Sequence, residues 1–150
     1  MPVDAGALLR GMLDSYPEFQ WSKAHIKIDG EIPLVMGNEA GLTQCFSNLL
    51  GNAIKFAKPG QKPEIHIRAE RRDAWARVWV EDNGIGISKL MLGRVFDMFS
   101  RGHKGYEGTG IGLALVRKVT ERMGGKAGVE SEEGKGSRFW LDLKAVDAAE

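Results

Sequence analysis

The chain has little cysteine: one residue, Cys45, in 150. One thiol cannot close an internal disulfide or build a cysteine-based zinc site, and such sparse usage suits a reducing compartment. Long hydrophobic runs are also missing. None reaches the ~18 apolar residues of a membrane span, and the N-terminus lacks the apolar core of a signal peptide. Nor is there a surplus of either charge. Lys and Arg number 21 against 20 Asp and Glu, a formal net charge of +1, so bulk electrostatics point to no nucleic acid and no membrane surface. Histidine is limited to His25, His66 and His103. None stands in a His/Asp/Glu grouping with zinc-ligand spacing, and no Ser–His–acid constellation is visible.

What remains is an ordinary globular composition, 43% hydrophobic and 27% charged, in a length suited to one domain with a sizeable core. Glycine is the outlier. The chain has 20, and 13 of them fall between Gly84 and Gly136. Strongly periodic segments lie among them, so this half reads as structured loops where backbone needs positive φ or close approach, not as a linker.

The pattern predicts a helix over 4–22, with Leu8, Leu9, Met12 and Leu13 on one side and Pro17 breaking or kinking it. HIKIDG and IPLVMG read as short strands around a turn. Asn38 is a suitable N-cap for a long helix over 39–57, which Lys58-Pro59-Gly60 ends. Residues 64–72 and 74–82 alternate in polarity and form a hairpin about Asp73-Ala74. A short helical piece near 88–99 carries Leu92, Val95, Phe96 and Phe99. A polar, glycine-rich loop follows at 100–109, then a helix over 110–123 stopped by Gly124-Gly125. KAGVESE and SRFWLDLKA are two further strands. Interleaved helices and hairpin-connected strands predict an α/β class: a two-layer sandwich, its mixed, mostly antiparallel sheet covered on one face by about three helices.

Three segments carry candidate chemistry. On the long helix, Leu42, Cys45, Phe46, Leu49, Leu50, Ala53 and Phe56 form the apolar stripe, and Cys45 is a packing residue. At about 100° per residue, Gln44, Asn48, Asn52 and Lys55 share a separate arc of roughly 80°. Amide oxygens there could meet a hard cation, and the lysine a phosphate. A solvated polar face accounts for the same pattern, although asparagine is a poor helix former and Glu, Lys and Gln would serve such a face better. In EDNGIGIS, where a buried strand runs out, Asp82-x-Gly84-x-Gly86 suits either a plain turn or a place where backbone approaches a ligand while one acid reads its polar edge. Gly108-Thr109-Gly110-Ile111-Gly112 opens a helix, where free N–H groups and glycines admit phosphate oxygens. It is neither a Walker loop nor a good dinucleotide fingerprint. Arg101, His103 and Lys104 before it are available to phosphate, or are simply solvated.

Taken together, these segments resemble the GHKL (Bergerat-fold) ATP-binding family. Asn48-Leu-Leu-x-Asn52-Ala-x-Lys55-Phe56 resembles its N box and Asp82-x-Gly84-x-Gly86 its first glycine box. Phe96-x-x-Phe99 resembles the F box, Gly108-Thr-Gly110-x-Gly112-Leu113 the second glycine box, and Gly134-x-Gly136-Ser137-x-Phe139 the last glycine motif. All stand in family order, over roughly residues 38–143. The F box and the GTGIGLALV wording are similar to the catalytic ATP-binding domain of bacterial sensor histidine kinases, and the lid wording to the phytochrome type.

The resemblance implies roles. Asp82 would accept from the adenine amino group while Gly84 and Gly86 let backbone pass close to the base, with Phe56 nearby. Asn52 would coordinate Mg²⁺ bridging the ATP phosphates, Asn48 would help position that site, and Lys55 would contact phosphate. Residues 100–109 would form a lid over the nucleotide, with Arg101 on phosphate. Gly108, Gly110, Gly112 and Leu113 would belong to the phosphate cradle, with Thr109 a hydrogen-bonding partner and Phe96 and Phe99 at the lid's base. ATP-hydrolysing relatives place a glutamate four residues before the metal asparagine to activate water. Asn48 cannot take a proton, so hydrolysis should be slow and the phosphoryl group should wait for a histidine. None of the three histidines stands in an acceptor-like run. The expectation is therefore a catalytic domain over 1–150, near-inert and monomeric alone. Its partners would be a histidine-containing dimerisation domain and a response-regulator receiver domain, on the cytoplasmic side of a bacterium and in a larger or membrane-anchored kinase. Alternatives are a stand-alone GHKL serine kinase of the anti-sigma type, or a silent kinase-like module serving as a binding platform.

Overall fold

The structure is a computed structural model that describes residues 1–96 and 112–146. After the short strand β1 (Pro2–Val3), helix α1 (Ala5–Ser15) starts at Asp4, whose carboxylate accepts the Ala7 N–H at 2.9 Å. It ends where Tyr16 turns extended before Pro17, a residue whose ring disfavours a helical predecessor. The helical pattern extends to residue 22, but a 3-10 turn, Pro17–Phe19, replaces that last part.

Strands β2 (His25–Ile28) and β3 (Val35–Met36) are not the two arms of one turn. β2 lies parallel to β4 (Glu64–Arg72), Ile26 opposite Ile65, while β3 pairs antiparallel with β1. The connection between them contains Gly30 at φ +70° and Pro33, which has no N–H for a ladder. Pairing with β4 instead buries Ile26 in the sheet.

Helix α2 (Glu39–Lys55) begins at Asn38, whose side chain accepts the Gly41 N–H at 2.9 Å. Leu42, Cys45, Phe46, Leu49, Leu50 and Ala53 are its buried stripe, as the periodicity requires, whereas Phe56, expected to continue it on a helix to residue 57, is the half-buried C-cap after Lys55. Each large side chain so buried is worth about 1.5–3 kcal/mol. The Cys45 thiol sits between Thr120 Oγ1 at 3.7 Å and the Val116 carbonyl at 3.8 Å, and burial pushes its pKa up, so it is a packing residue.

β4 and β5 (Trp75–Asp82) form the expected hairpin, with Asp73 at φ 55° in its turn. The short helix α3 (Lys89–Leu92) covers part of the helical piece near 88–99. Helix α4 (Gly112–Arg122) leads to β6 (Lys126–Ser131) and β7 (Ser137–Lys144), a second hairpin. Among the described residues the main sheet has the order β2-β4-β5-β7-β6, antiparallel except at β2–β4.

Every second residue of β5 and β7 points toward the helices: Ala76, Val78 and Val80 stand opposite Leu143, Leu141 and Phe139. With Ile65, Ile67 and the stripes of α1, α2 and α4 they make one core. The other sheet face is polar, yet Trp79 there is only 3% exposed. The guanidiniums of Arg68, Arg77 and Arg138 lie over its ring at 5.0, 5.7 and 5.0 Å, and its Nε1 donates to Glu70 at 3.0 Å. Arg68 and then Arg72 hold the Glu70 carboxyl down at about 2. The α/β sandwich with one helix-covered face is therefore as expected.

Candidate functional site

Asp82 is the last residue of β5 and continues the inward row Ala76–Val78–Val80. Its Oδ1 accepts the backbone N–H of Gly84 at 2.9 Å and of Ser137 at 3.2 Å. Both bonds use one oxygen, so neither occupies Oδ2. Burial raises the carboxyl's pKa, and the two N–H donors counter it in part.

The loop after Asp82 is held on two sides. Toward α2, Ile85 N–H donates to the Phe56 carbonyl at 3.0 Å, and a Cβ on Gly84 would stand 2.5 Å from that same oxygen. Toward the β6–β7 turn, Gly134 N–H donates to the Ile85 carbonyl at 2.8 Å. Gly86, at φ +74°, lies so close that a Cβ would meet the Glu132 carbonyl at 2.2 Å. These two glycines are needed for close approach, as the Asp-x-Gly-x-Gly spacing suggested.

On α2, Asn48 and Asn52 are half-buried one turn apart, while Gln44 and Lys55 are exposed. Asn48 Nδ2 donates to the Gln44 carbonyl at 3.0 Å, which sets the direction of its amide. The amide oxygen then faces α4: a Cβ on Gly112 would stand 2.9 Å from Asn48 Oδ1. The N box and the end of the second glycine box thus meet at Asn48 and Gly112. Leu113 packs on the core beside them. Lys55 Nζ lies 5.4 Å from the centre of the Phe56 ring, so lysine and aromatic stand together where α2 ends. Phe96 packs edge-on against Phe139 at 6.2 Å. Phe99, Arg101, His103, Lys104, Gly108, Thr109 and Gly110 lie outside the described residues.

Two side chains at this site had no role in the motif reading. Ser137 is buried and meets Asp82 through its N–H, and Ser131 Oγ accepts the Ile87 N–H at 2.8 Å. Ser137 stood inside a quoted motif. Ser131 gave one faint signal, a polar residue ending the inward row of β6 after Ala127 and Val129. A separate concavity of about 440 Å³ touches Asp82 and Ser137, but its other walls are Glu81, Glu130, Ser131, Glu132, Lys135, Gly136 and Arg138. It opens beside the polar sheet face, and neither asparagine of α2 lines it.

A helix-covered sheet, an acid at a strand end between two glycine turns, and paired asparagines on the adjoining helix define the GHKL class of ATP-binding domains. Residues 37–147 match the family model described as histidine kinase-, DNA gyrase B-, and HSP90-like ATPase, and the chain belongs to that family. It is 43% identical over 122 residues to a sensor histidine kinase, AruS, of Pseudomonas aeruginosa, covering 75% of this chain and 12% of that protein. It is also 43% identical over 126 residues to the phytochrome-like protein Cph1 of Synechocystis, covering 81% of this chain and 16% of that protein. Among solved structures, full-length ShkA in complex with AMPPNP superposes with a TM-score of 0.81 at 30% identity, over 99% of this chain and 32% of that one. The chain thus spans about an eighth to a sixth of the length of these two relatives.

Proposed function

We propose that this chain binds Mg·ATP and donates the γ-phosphoryl group to a histidine of a separate helical dimerisation domain, within a two-component sensor kinase. The observation that carries the reading is the Asp82 carboxylate: half-buried, fixed through Oδ1 by two backbone N–H groups, with Oδ2 outside both bonds. A carboxylate so held needs no reorganisation to accept from an exocyclic amino group, the feature that separates adenine from guanine at that edge. Family membership supports the same assignment, since its members are ATPases.

The phosphates would lie toward the N-terminus of α4, where unpaired N–H groups and the positive dipole end favour anions. Lys55 at the end of α2 would add a compact positive charge. Asn52 would offer an amide oxygen to Mg²⁺. Among the described residues no group of three His, Cys, Asp or Glu side chains could hold a metal. A single neutral oxygen fits a small hard cation that takes its other ligands from phosphates and water. When bound, that cation would neutralise phosphate charge during transfer. Asn48 has no proton-accepting function at neutral pH, and its amide is already engaged with Gln44. Water is thus left unactivated, and the γ-phosphoryl is retained for the acceptor histidine. The receiver domain of a response regulator would take it next.

Calorimetric titration with ATP, with and without Mg²⁺, tests this reading. The parent should bind, Asp82→Ala should abolish binding, and addition of a histidine-bearing dimerisation domain should yield acid-labile phosphohistidine. A folded parent that binds no nucleotide would leave the chain a partner-binding platform.

A further inference from the structure

Ser131 has no role in the proposed function, yet its hydroxyl joins both walls of the base-reading site. It donates its one proton to the Gly136 carbonyl at 2.9 Å. It accepts the Ile87 N–H at 2.8 Å. It also lies 2.8 Å from Ser137 Oγ. With the Ser131 proton committed to Gly136, the proton between the two hydroxyls must come from Ser137. Ser131 therefore fills both lone pairs and its donor at once, in a setting where Ile87, Gly136 and Ser137 are all buried. Its three partners flank the Asp82 carboxylate. Ile87 closes the loop of Gly84 and Gly86. Gly136 packs on the Asp82 backbone, and Ser137 sends its N–H to Asp82 Oδ1.

We propose that Ser131 is a positioning residue for nucleotide binding: its hydroxyl clamps the loop after β5 to the β6–β7 turn and so fixes the Asp82 carboxylate. The proposal rests on Asp82 reading the base, and it has Ser131 act through Asp82. Deleting the hydroxyl leaves the Ile87 N–H and the Ser137 hydroxyl without this partner and the Gly136 carbonyl with only the Glu132 N–H at 3.4 Å, whereas threonine keeps the oxygen on a strand that tolerates β-branching.

The test compares the parent with Ser131→Ala and Ser131→Thr in two measurements. Amide hydrogen exchange without nucleotide should show Ile87 exchanging about tenfold faster in Ser131→Ala and near the parent rate in Ser131→Thr. Titration with ATP should show roughly five- to tenfold weaker binding for Ser131→Ala, with threonine restoring it, the loss set by a broken buried hydrogen-bond network. Unchanged Ile87 exchange overturns the clamp. If the parent binds ATP through Asp82 and Ser131→Ala binds equally well, the positioning role is overturned while the ATP reading stands. If the parent binds no ATP, both fall. A threonine variant as impaired as alanine also overturns the proposal, because the hydroxyl would then not be the operative group.

Discussion

Gly136 lies against the main chain of Asp82: at φ +90°, a Cβ on Gly136 would fall 2.0 Å from the Asp82 carbonyl oxygen and 3.1 Å from the Asn83 Cα. The neighbouring Gly134 has almost the same φ, +86°, but nothing within 4 Å of its Cβ position. The pair separates two reasons for a glycine. At Gly134 only the left-handed conformation matters, so Gly134→Ala should cost about 1–2 kcal/mol of stability and leave ATP affinity intact. At Gly136 backbone overlap adds to the same strain. Gly136→Ala should cost at least about 3 kcal/mol, and ATP binding should be lost even in whatever fraction remains folded. Chemical denaturation followed by titration checks both. Equal penalties at the two positions would mean that the contact with Asp82 is not what demands glycine.

Asp82→Asn should divide binding from stability. The amide keeps an oxygen for the Gly84 and Ser137 N–H groups but sets an NH₂ donor against the adenine amino group. Affinity for ATP should fall at least tenfold, as expected when a bond to a charged acceptor is replaced by a mismatch. Stability should move the other way. Burial raises the folded-state pKa of Asp82, so the folded chain holds that proton more tightly than the unfolded chain. As pH rises from the ordinary aspartate value through the raised folded value, the carboxyl's contribution to stability is lost. The melting temperature of Asp82→Asn relative to the parent should therefore climb across that window and level off above it. A flat difference would mean that the carboxyl carries no desolvation cost.

Much of this site was legible because its chemistry lies in contiguous runs. The Asn38 cap, the stripe of Leu42 to Ala53 and the Asp82-x-Gly84-x-Gly86 spacing are local signals, and each holds. What escaped depends on residues far apart in the chain. β2 joins β4 across the whole of α2, and no turn signal in HIKIDG announces a parallel partner. Gly128 is needed because Trp140 lies over it: a Cβ there would fall 2.1 Å from the indole ring, a contact set by strand register alone. Ser131 reads as an ordinary strand residue until Ile87 is placed against it, 44 positions away.

Asn52→Ala should remove the metal dependence of binding more than binding itself. Among the described residues no group of three His, Cys, Asp or Glu side chains could hold a metal, so in the proposed site loss of the Asn52 oxygen should remove a large share of the protein's contribution. ATP affinity measured with Mg²⁺ should drop to the value found with a chelator present, while the chelator value itself stays within about twofold of the parent. The same titrations on Asn48→Ala should keep most of the Mg²⁺ effect. If Asn48→Ala and Asn52→Ala lose it equally, the two asparagines share the ion.

The contact between Asn48 and Gly112 lends itself to a double-mutant cycle. At 2.9 Å from a Cβ position, Asn48 Oδ1 must shift if Gly112 becomes alanine, and an amide anchored on Gln44 strains that bond as it moves. Gly112 is the first residue of α4, where the helix-forming advantage of alanine is smaller than the ~1 kcal/mol of a helix interior, so Gly112→Ala should leave the melting temperature nearly unchanged. ATP affinity and the rate of phosphoryl transfer should nevertheless fall severalfold, because the N-terminal end of α4, proposed to face the phosphates, is pushed off Asn48. In an Asn48→Ala background the obstructing oxygen is gone, and Gly112→Ala should then cost almost nothing. The expected coupling is about 1 kcal/mol or more, well above the additivity error of independent sites. Strict additivity would instead place the requirement for glycine at position 112 in direct approach of phosphate to the backbone, with Asn48 a bystander.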